Sequence, residues 1–254
     1  MKKKYMFFDI DGTLTDNNPG GNVPESTKFA LEKLRENGHF VAIATGRASY
    51  FAKPFFDEFG FTNMVSDGGH GLTINNELLE VAPLDFDMAK AVVDECIEKK
   101  VPFWLALGNE PIVYALKGTK VKAGAHIKEF VYVDHFDDLD VIYKVFIDGG
   151  KETEELLESI HPIGYITYPG VGIIVEPIEK FIGIKKMVEE HLNGDLADVV
   201  VWGDGKNDIS MMQQASFSIA MGNAIDEVKE VASFVTKSNK EDGILYACEH
   251  FGWI

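Results

Sequence analysis

Residues 5–15 read YMFFDIDGTLT. Four apolar residues, Tyr5 to Phe8, run into two aspartates one residue apart, and Gly12-Thr13 then break the pattern. A short apolar run closed by a turn signal reads as a strand buried on both faces, hence one from the middle of a parallel sheet. Asp9 and Asp11 then lie at its carboxyl end, where open α/β sheets keep their chemistry. The competing reading makes both of them solvated loop acids. It is the weaker one, because acids seldom end a central strand.

The 254 residues, 46% of them apolar, suit one large domain or two modest ones. No apolar stretch of about 18 residues occurs, and the N-terminal Met-Lys-Lys-Lys-Tyr leads into a run too short for a secretory core. A soluble, cytoplasmic protein is expected. A formal charge of −17 excludes a nucleic-acid or anionic-membrane surface, either of which needs a basic face. An acidic chain that handles an anion needs a local reversal of sign, from a metal ion or a few placed cations. Arginine is scarce, with Arg35 and Arg47 alone in the sequence. Cys96 and Cys248 lack metal-ligand spacing and read as reduced core residues of helices.

Outward from the first strand, Pro24 starts a helix that Asn37-Gly38 ends. Residues 40–44 form a second buried strand, closed by Thr45-Gly46-Arg47. A helix at 49–59 contains Pro54; a short strand at 64–66 enters Asp67-Gly68-Gly69-His70, and a hairpin follows at 72–74 and 78–81. From about residue 83 the style changes. A helix at 86–100 precedes strands at 102–107 and 112–116, a short helix at 123–129, a strand at 141–147 and a helix at 152–160. Strands at 165–168 and 171–176 complete this part. Turns at Asn109-Glu110 and Pro169-Gly170 imply an antiparallel sheet with helices on one side, an inserted α+β unit. Alternation then returns: a helix at 182–192, a strand at 199–202, the loop Gly203-Asp204-Gly205-Lys206-Asn207-Asp208 opening a helix to 214, a strand at 217–220, a helix at 225–231, a short strand at 234–235 and a last helix at 242–250. The expected architecture is a Rossmann-like parallel-sheet core, residues 1–82 and 180–254, with residues 83–179 inserted as an α+β cap.

In a parallel sheet the carboxyl ends share one edge, so Asp9 to Thr13, Thr45 to Arg47 and Gly203 to Asp208 should converge, with the region of Lys180 nearby. Four carboxylates crowded together repel and shift one another's pKa values unless a cation sits among them. Oxygen-only ligands favour a hard ion, and Mg²⁺ is the one usually shared by carboxylates and a phosphate.

This set resembles the haloacid dehalogenase superfamily, specifically its Cof-like type IIB phosphatases with a large α/β cap. DIDGT, Thr-Gly-Arg, a lysine and GDGKND occur in that family's order over nearly the whole chain, and GNAIDEVKEVASFVTKSNKEDG is similar to its C-terminal segment. The resemblance implies that Asp9 is the nucleophile and becomes an aspartyl-phosphate, and that Asp11 is the general acid and base. It also implies that Thr45, Gly46, Arg47, Lys180 and Asn207 contact the phosphorylated substrate, and that Asp9, Asp204, Asp208 and the backbone carbonyl of Asp11 serve Mg²⁺. Lys180 opens Lys-Phe-Ile-Gly-Ile, close to the family's lysine motif, whereas Lys185 and Lys186 fit a solvated helix face. Two positions stay open. Arg47 is either a substrate contact or the partner of a loop acid, and His70 stands just after Asp67-Gly68-Gly69, where the family often has Asn-Gly-Ala.

The expected activity is hydrolysis of a small phosphate monoester, a sugar phosphate, by a monomer or weak dimer. A phosphomutase would need to grip a second phosphate from the inserted unit, a task for arginine's bidentate fork, and residues 83–179 contain no arginine. A non-catalytic sensor of phosphorylated metabolites would be expected to have lost a catalytic acid, and none is missing.

Overall fold

The structure, a computed structural model, describes residues 2–17, 21–122, 124, 127–168 and 170–254. The chain divides into two compact units, one of Met1–Arg47, Ala52–Glu80 and Glu179–Ile254, the other of Ala48–Phe51 and Val81–Ile178. The first carries β1 (Tyr5–Phe8), α1 (Glu25–Glu36), β2 (Phe40–Ala44), most of α2 (Ser49–Glu58), β3 (Met64–Ser66), β4 (Gly71–Ile74) and nearly all of β5 (Glu77–Val81). The second carries α3 (Phe86–Glu98), β6 (Phe103–Ala106), β7 (Ile112–Leu116), β8 (Glu129–Val133), β9 (Lys144–Ile147), α4 (Lys151–Leu156), α5 (Ile160–Ile163), β10 (Tyr165–Tyr168) and β11 (Gly172–Val175). The first unit resumes with α6 (Lys180–Lys186), β12 (Val199–Gly203), α7 (Ile209–Gln214), β13 (Phe217–Ala220), α8 (Asp226–Val231), β14 (Phe234–Val235) and α9 (Gly243–His250).

The apolar run of β1 makes the centre of an eight-stranded sheet ordered β14-β13-β12-β1-β2-β3-β4-β5, parallel from β14 through β3. Side chains of a strand alternate between faces, and both faces of β1 are covered. Met6 and Phe8 pack with Leu31 and Leu34 of α1, Phe56 of α2 and Ile244 of α9. Tyr5 and Phe7 pack with Ile184 of α6, Met211 of α7 and Val228 of α8. That double burial is why the strand shows no polar alternation. Successive strands run outward from β1 on one side and from β12 on the other, so the crossover of strand order falls between these two. Asp9 and Asp204 sit at their carboxyl ends, where such folds form crevices.

The inserted unit holds a six-stranded sheet ordered β10-β11-β9-β6-β7-β8. Val92, Val93 and Cys96 of α3 and Ile160 of α5 cover one face of it through Leu105, Val145 and Val175. Its pairing differs in one place from the all-antiparallel expectation, because β8 joins β7 in parallel. The helix expected at 123–129 is also corrected. Ala123, Ala125 and His126 lie outside the described residues, Ile127 and Lys128 are not helical, and Glu129 opens β8. The alternation Phe130-Val131-Tyr132-Val133 favours a strand there. The helix expected at 152–160 is broken into α4 and α5, because Glu95 accepts bonds from the backbone N–H groups of Glu158 (3.1 Å) and Ser159 (2.9 Å) and so stabilises the intervening turn. Residues 18–20 of the first loop and Pro169 of the second expected turn lie outside the described residues. Both cysteines are buried, unpaired helix residues. Among the described residues no helix is long and apolar enough to cross a membrane.

Trp202 of β12 is fully buried, stacked on Phe8 with ring centroids 5.0 Å apart and edge-on to Trp253 at 6.2 Å. Trp202→Ala is expected to lower unfolding free energy by about 3–5 kcal/mol. Urea melts followed by far-UV circular dichroism check this, and an unchanged midpoint would contradict the packing described.

Candidate active site

The turn after β1 is built around Gly12. Its φ of +85° is costly for a side chain, and a Cβ there would lie 2.2 Å from Asp204 Oδ2. Glycine thus lets the turn close on the loop after β12. Asp9 N donates to Trp202 O at 3.0 Å, continuing the β1–β12 ladder to the aspartate itself. Thr13 Oγ1 donates to Asp204 Oδ1 at 3.1 Å. Two asparagines from the late segment brace the same turn: Asn223 Nδ2 donates to Gly12 O (2.8 Å), and Asn239 Nδ2 donates to Thr15 O (2.7 Å). Asn239 N in turn donates to Asn223 Oδ1 at 3.0 Å.

Lys180, 1% exposed at the start of α6, places its ammonium 2.6 Å from Asp9 Oδ1 and 2.6 Å from Asp208 Oδ1. The other oxygen of Asp208 accepts from the backbone N–H groups of Asp204 and Gly205, both at 3.0 Å. Asp9, Asp204 and Asp208 are all buried, and one oxygen from each lies within 4.8 Å of the others. Two of the acids, Asp9 and Asp208, therefore share one ammonium, with Asp204 close beside them. Burial pulls the Lys180 ammonium down, but Asp208 and Asp9 outweigh it and hold the lysine charged, above its ordinary value. The shortfall of positive charge falls on Asp9. Burial, the larger cause, pushes its carboxyl up to about 8 with help from Asp208 and Asp204, against the pull of Lys180.

Such a donor set fits a hard divalent cation. It offers closely spaced carboxylate oxygens, with an excess of negative charge that burial makes costly. Asp9, Asp204 and Asp208 could hold the ion.

Asp11 belongs to a separate pair. Its carboxylate receives a bidentate fork from Arg47, Nε to Oδ2 at 2.8 Å and an Nη to Oδ1 at 2.5 Å. Of the two readings of Arg47 this geometry supplies the partnership with a loop acid. Thr45, buried at the end of β2, accepts at Oγ1 from Arg47 N (3.1 Å), with Gly46 between them. Asn207 is half-buried in the loop after β12. Lys186 pairs with Glu80 away from the cluster. His70 N donates to Asp67 O at 3.2 Å, within the turn after β3. The bracing by Asn223 and Asn239 is absent from the sequence reading, although both lie in or beside the late run that resembles the family's C-terminal segment.

Comparison with known proteins gives the family. The profile of the haloacid dehalogenase-like hydrolase family matches residues 6–248. The Bacillus subtilis (strain 168) protein named "Putative phosphatase YkrA" is 31% identical, the alignment covering 99% of each chain. The 5-amino-6-(5-phospho-D-ribitylamino)uracil phosphatase YwtE of the same organism is 27% identical over 96% of each. A solved structure described as the HAD subclass IIB sugar phosphatase BT4131 is 27% identical, with a TM-score of 0.79 over 99% of this chain and 100% of that one. The chain belongs to the haloacid dehalogenase-like hydrolase family, among its Cof-like, type IIB members. It is accordingly a phosphoric monoester hydrolase.

A carboxyl whose pKa is raised on folding binds its proton more tightly in the folded chain. Its contribution to stability is present below the unfolded value near 4 and is lost as pH rises through about 8. In chelator-treated protein, Asp9→Asn should therefore raise the thermal midpoint relative to wild type more at pH 8 than at pH 5. An equal difference at both pH values, measured by scanning calorimetry, would contradict the charge shortfall at Asp9.

Proposed function

We propose that the chain is a Mg²⁺-dependent phosphatase of small phosphate monoesters, sugar phosphates in particular, working through an aspartyl-phosphate on Asp9. The observation that carries this reading is the buried Lys180 ammonium between Asp9 and Asp208, beside Asp204, at the crossover of the sheet. Mg²⁺, bound by Asp9, Asp204, Asp208 and the backbone carbonyl of Asp11, would neutralise charge on the phosphoryl oxygens.

Asp9 forms the new bond to phosphorus as the ester P–O bond breaks, and Asp11 gives its proton to the departing alkoxide. In the second half Asp11 takes a proton from water, whose oxygen attacks the aspartyl-phosphate and releases phosphate and free Asp9. The two-residue spacing keeps these tasks on separate carboxylates. Lys180 neutralises the transferring group and Thr45 donates a hydrogen bond to it, while Gly46 and Asn207 line the phosphoryl site. Arg47 orients Asp11, and its fork, which here occupies both oxygens, must release one of them for Asp11 to carry the proton. Phosphoryl transfer depends chiefly on positioning and charge neutralisation, which this inventory supplies.

Residues 83–179 are assigned the role of a cap that excludes water and selects the leaving group. Two relatives support the substrate class: one is described as a sugar phosphatase, and the name of the other specifies a phosphate on a ribityl chain.

With p-nitrophenyl phosphate and Mg²⁺, Asp9→Asn should reduce turnover to background; a wild-type rate would remove Asp9 as nucleophile. Asp11→Asn should slow turnover by about 10²–10⁴-fold while titration calorimetry shows Mg²⁺ affinity largely retained. Loss of Mg²⁺ binding in that variant would show that its side chain, not its backbone, serves the ion.

A further inference from the structure

We infer that Glu179 is a positioning residue for Lys180, tying the start of the lysine's helix to the helix that follows the Asp204–Asp208 loop. The inference rests on the role given to Lys180 in the phosphatase reading above.

Lys180 is the first residue of α6, and helix starts are weak points, with backbone N–H groups that have no partner within the helix. Glu179 stands at the N-cap position but makes no side-chain cap there. Its backbone carbonyl accepts from Ile182 N at 3.0 Å and is pressed by Gly69, where a Cβ would come within 2.4 Å of it. Its carboxylate turns to another element. Glu179 Oε2 accepts from Ser210 Oγ at 2.5 Å and from Gln214 Nε2 at 3.1 Å. Gln214 Nε2 also donates to Ser210 Oγ at 2.8 Å, closing a three-residue knot.

Ser210 and Gln214 are one turn apart on α7, so they present one face to the carboxylate. That helix begins at Ile209, directly after Asp208, whose Oδ1 holds the Lys180 ammonium. The knot therefore joins the residue before Lys180 to the helix after Asp208. It fixes from outside the cluster the separation that the 2.6 Å contact needs within it. Bonds to an ionised acceptor are shorter and stronger than neutral ones, which suits a tether. A displacement of about 1 Å at a catalytic group can cost as much as about 10²-fold in rate, so a tether one residue from Lys180 bears on turnover more than on stability.

The test compares kcat and KM for p-nitrophenyl phosphate at saturating Mg²⁺, with thermal midpoints recorded for every variant. Glu179→Ala is expected to lower kcat about tenfold with its midpoint within a few degrees of wild type. Glu179→Gln, which keeps an acceptor oxygen for Ser210, should recover most of that loss. Ser210→Ala should lower kcat in the same way, and the double variant Glu179→Ala, Ser210→Ala should be no worse than Glu179→Ala alone, as expected for one shared interaction. A wild-type kcat in both single alanine variants, or fully additive losses, would overturn the inference. So would a lowered midpoint with kcat per folded molecule unchanged. If Glu179→Ala fails to fold, Ser210→Ala and Gln214→Ala decide the matter by the same criteria. Asp9→Asn is assayed in parallel: its inactivity beside unaffected Glu179 and Ser210 variants removes this inference alone, whereas equal rates for Asp9→Asn and wild type remove the phosphatase reading as well.

Discussion

One buried ammonium shared by two buried carboxylates, Asp9 and Asp208, with a third, Asp204, beside them, sets the terms for the rest of this molecule. An isolated charge at that depth is costly, and a cluster with unequal numbers of acids and bases is costlier still. The surroundings answer by satisfying individual oxygens. Backbone N–H groups of Asp204 and Gly205 serve one side of Asp208, and the Thr13 hydroxyl serves Asp204. What hydrogen bonds leave uncorrected is net charge, and a hard cation corrects that directly. The chemistry assigned to the site and the electrostatic cost of folding it thus have the same remedy.

The cluster can exist only because the sheet brings distant segments to one edge. Asp9 ends β1, Asp204 follows β12, and the two strands are neighbours in register from Tyr5 beside Val199 to Phe8 beside Trp202. The inserted unit separates these segments in sequence but not in the sheet. Asn223 and Asn239 then reach back to Gly12 and Thr15, so the turn that follows Asp9 is held by residues near the other end of the chain.

The parts legible in sequence were those with a local signature. The unbroken apolar run of β1 announced burial on both faces, and the acid-glycine loops announced the carboxyl edge. Lys180 was told from Lys185 and Lys186 by the resemblance of Lys-Phe-Ile-Gly-Ile to the family's lysine motif, the other two fitting a solvated helix face. The parts that were not legible depend on partners far away in sequence. Nothing in Thr-Gly-Arg says that the arginine's fork closes on Asp11, since a lone arginine carries no geometry. The parallel entry of β8 beside β7 depends on how the long connection between them runs, and residues 123–129 carry no strong periodicity of their own. The break between α4 and α5 is dictated by Glu95 on α3, a side chain that no local propensity of residues 152–160 could reveal.

The pairing of β1 with β12 also orders events during synthesis. When residues 1–80 leave the ribosome, β1 can bond to β2 but its other edge has no partner until Val199–Gly203 is made. Sheets assembled from such distant pairings form slowly, and an unpaired apolar edge is open to wrong partners in the interval. The inserted unit, whose strands all pair among themselves, emerges during that wait and can fold from its own contacts. The cluster of Asp9, Lys180, Asp204 and Asp208 is therefore assembled last, when the C-terminal segments close the edge that the first strand left open.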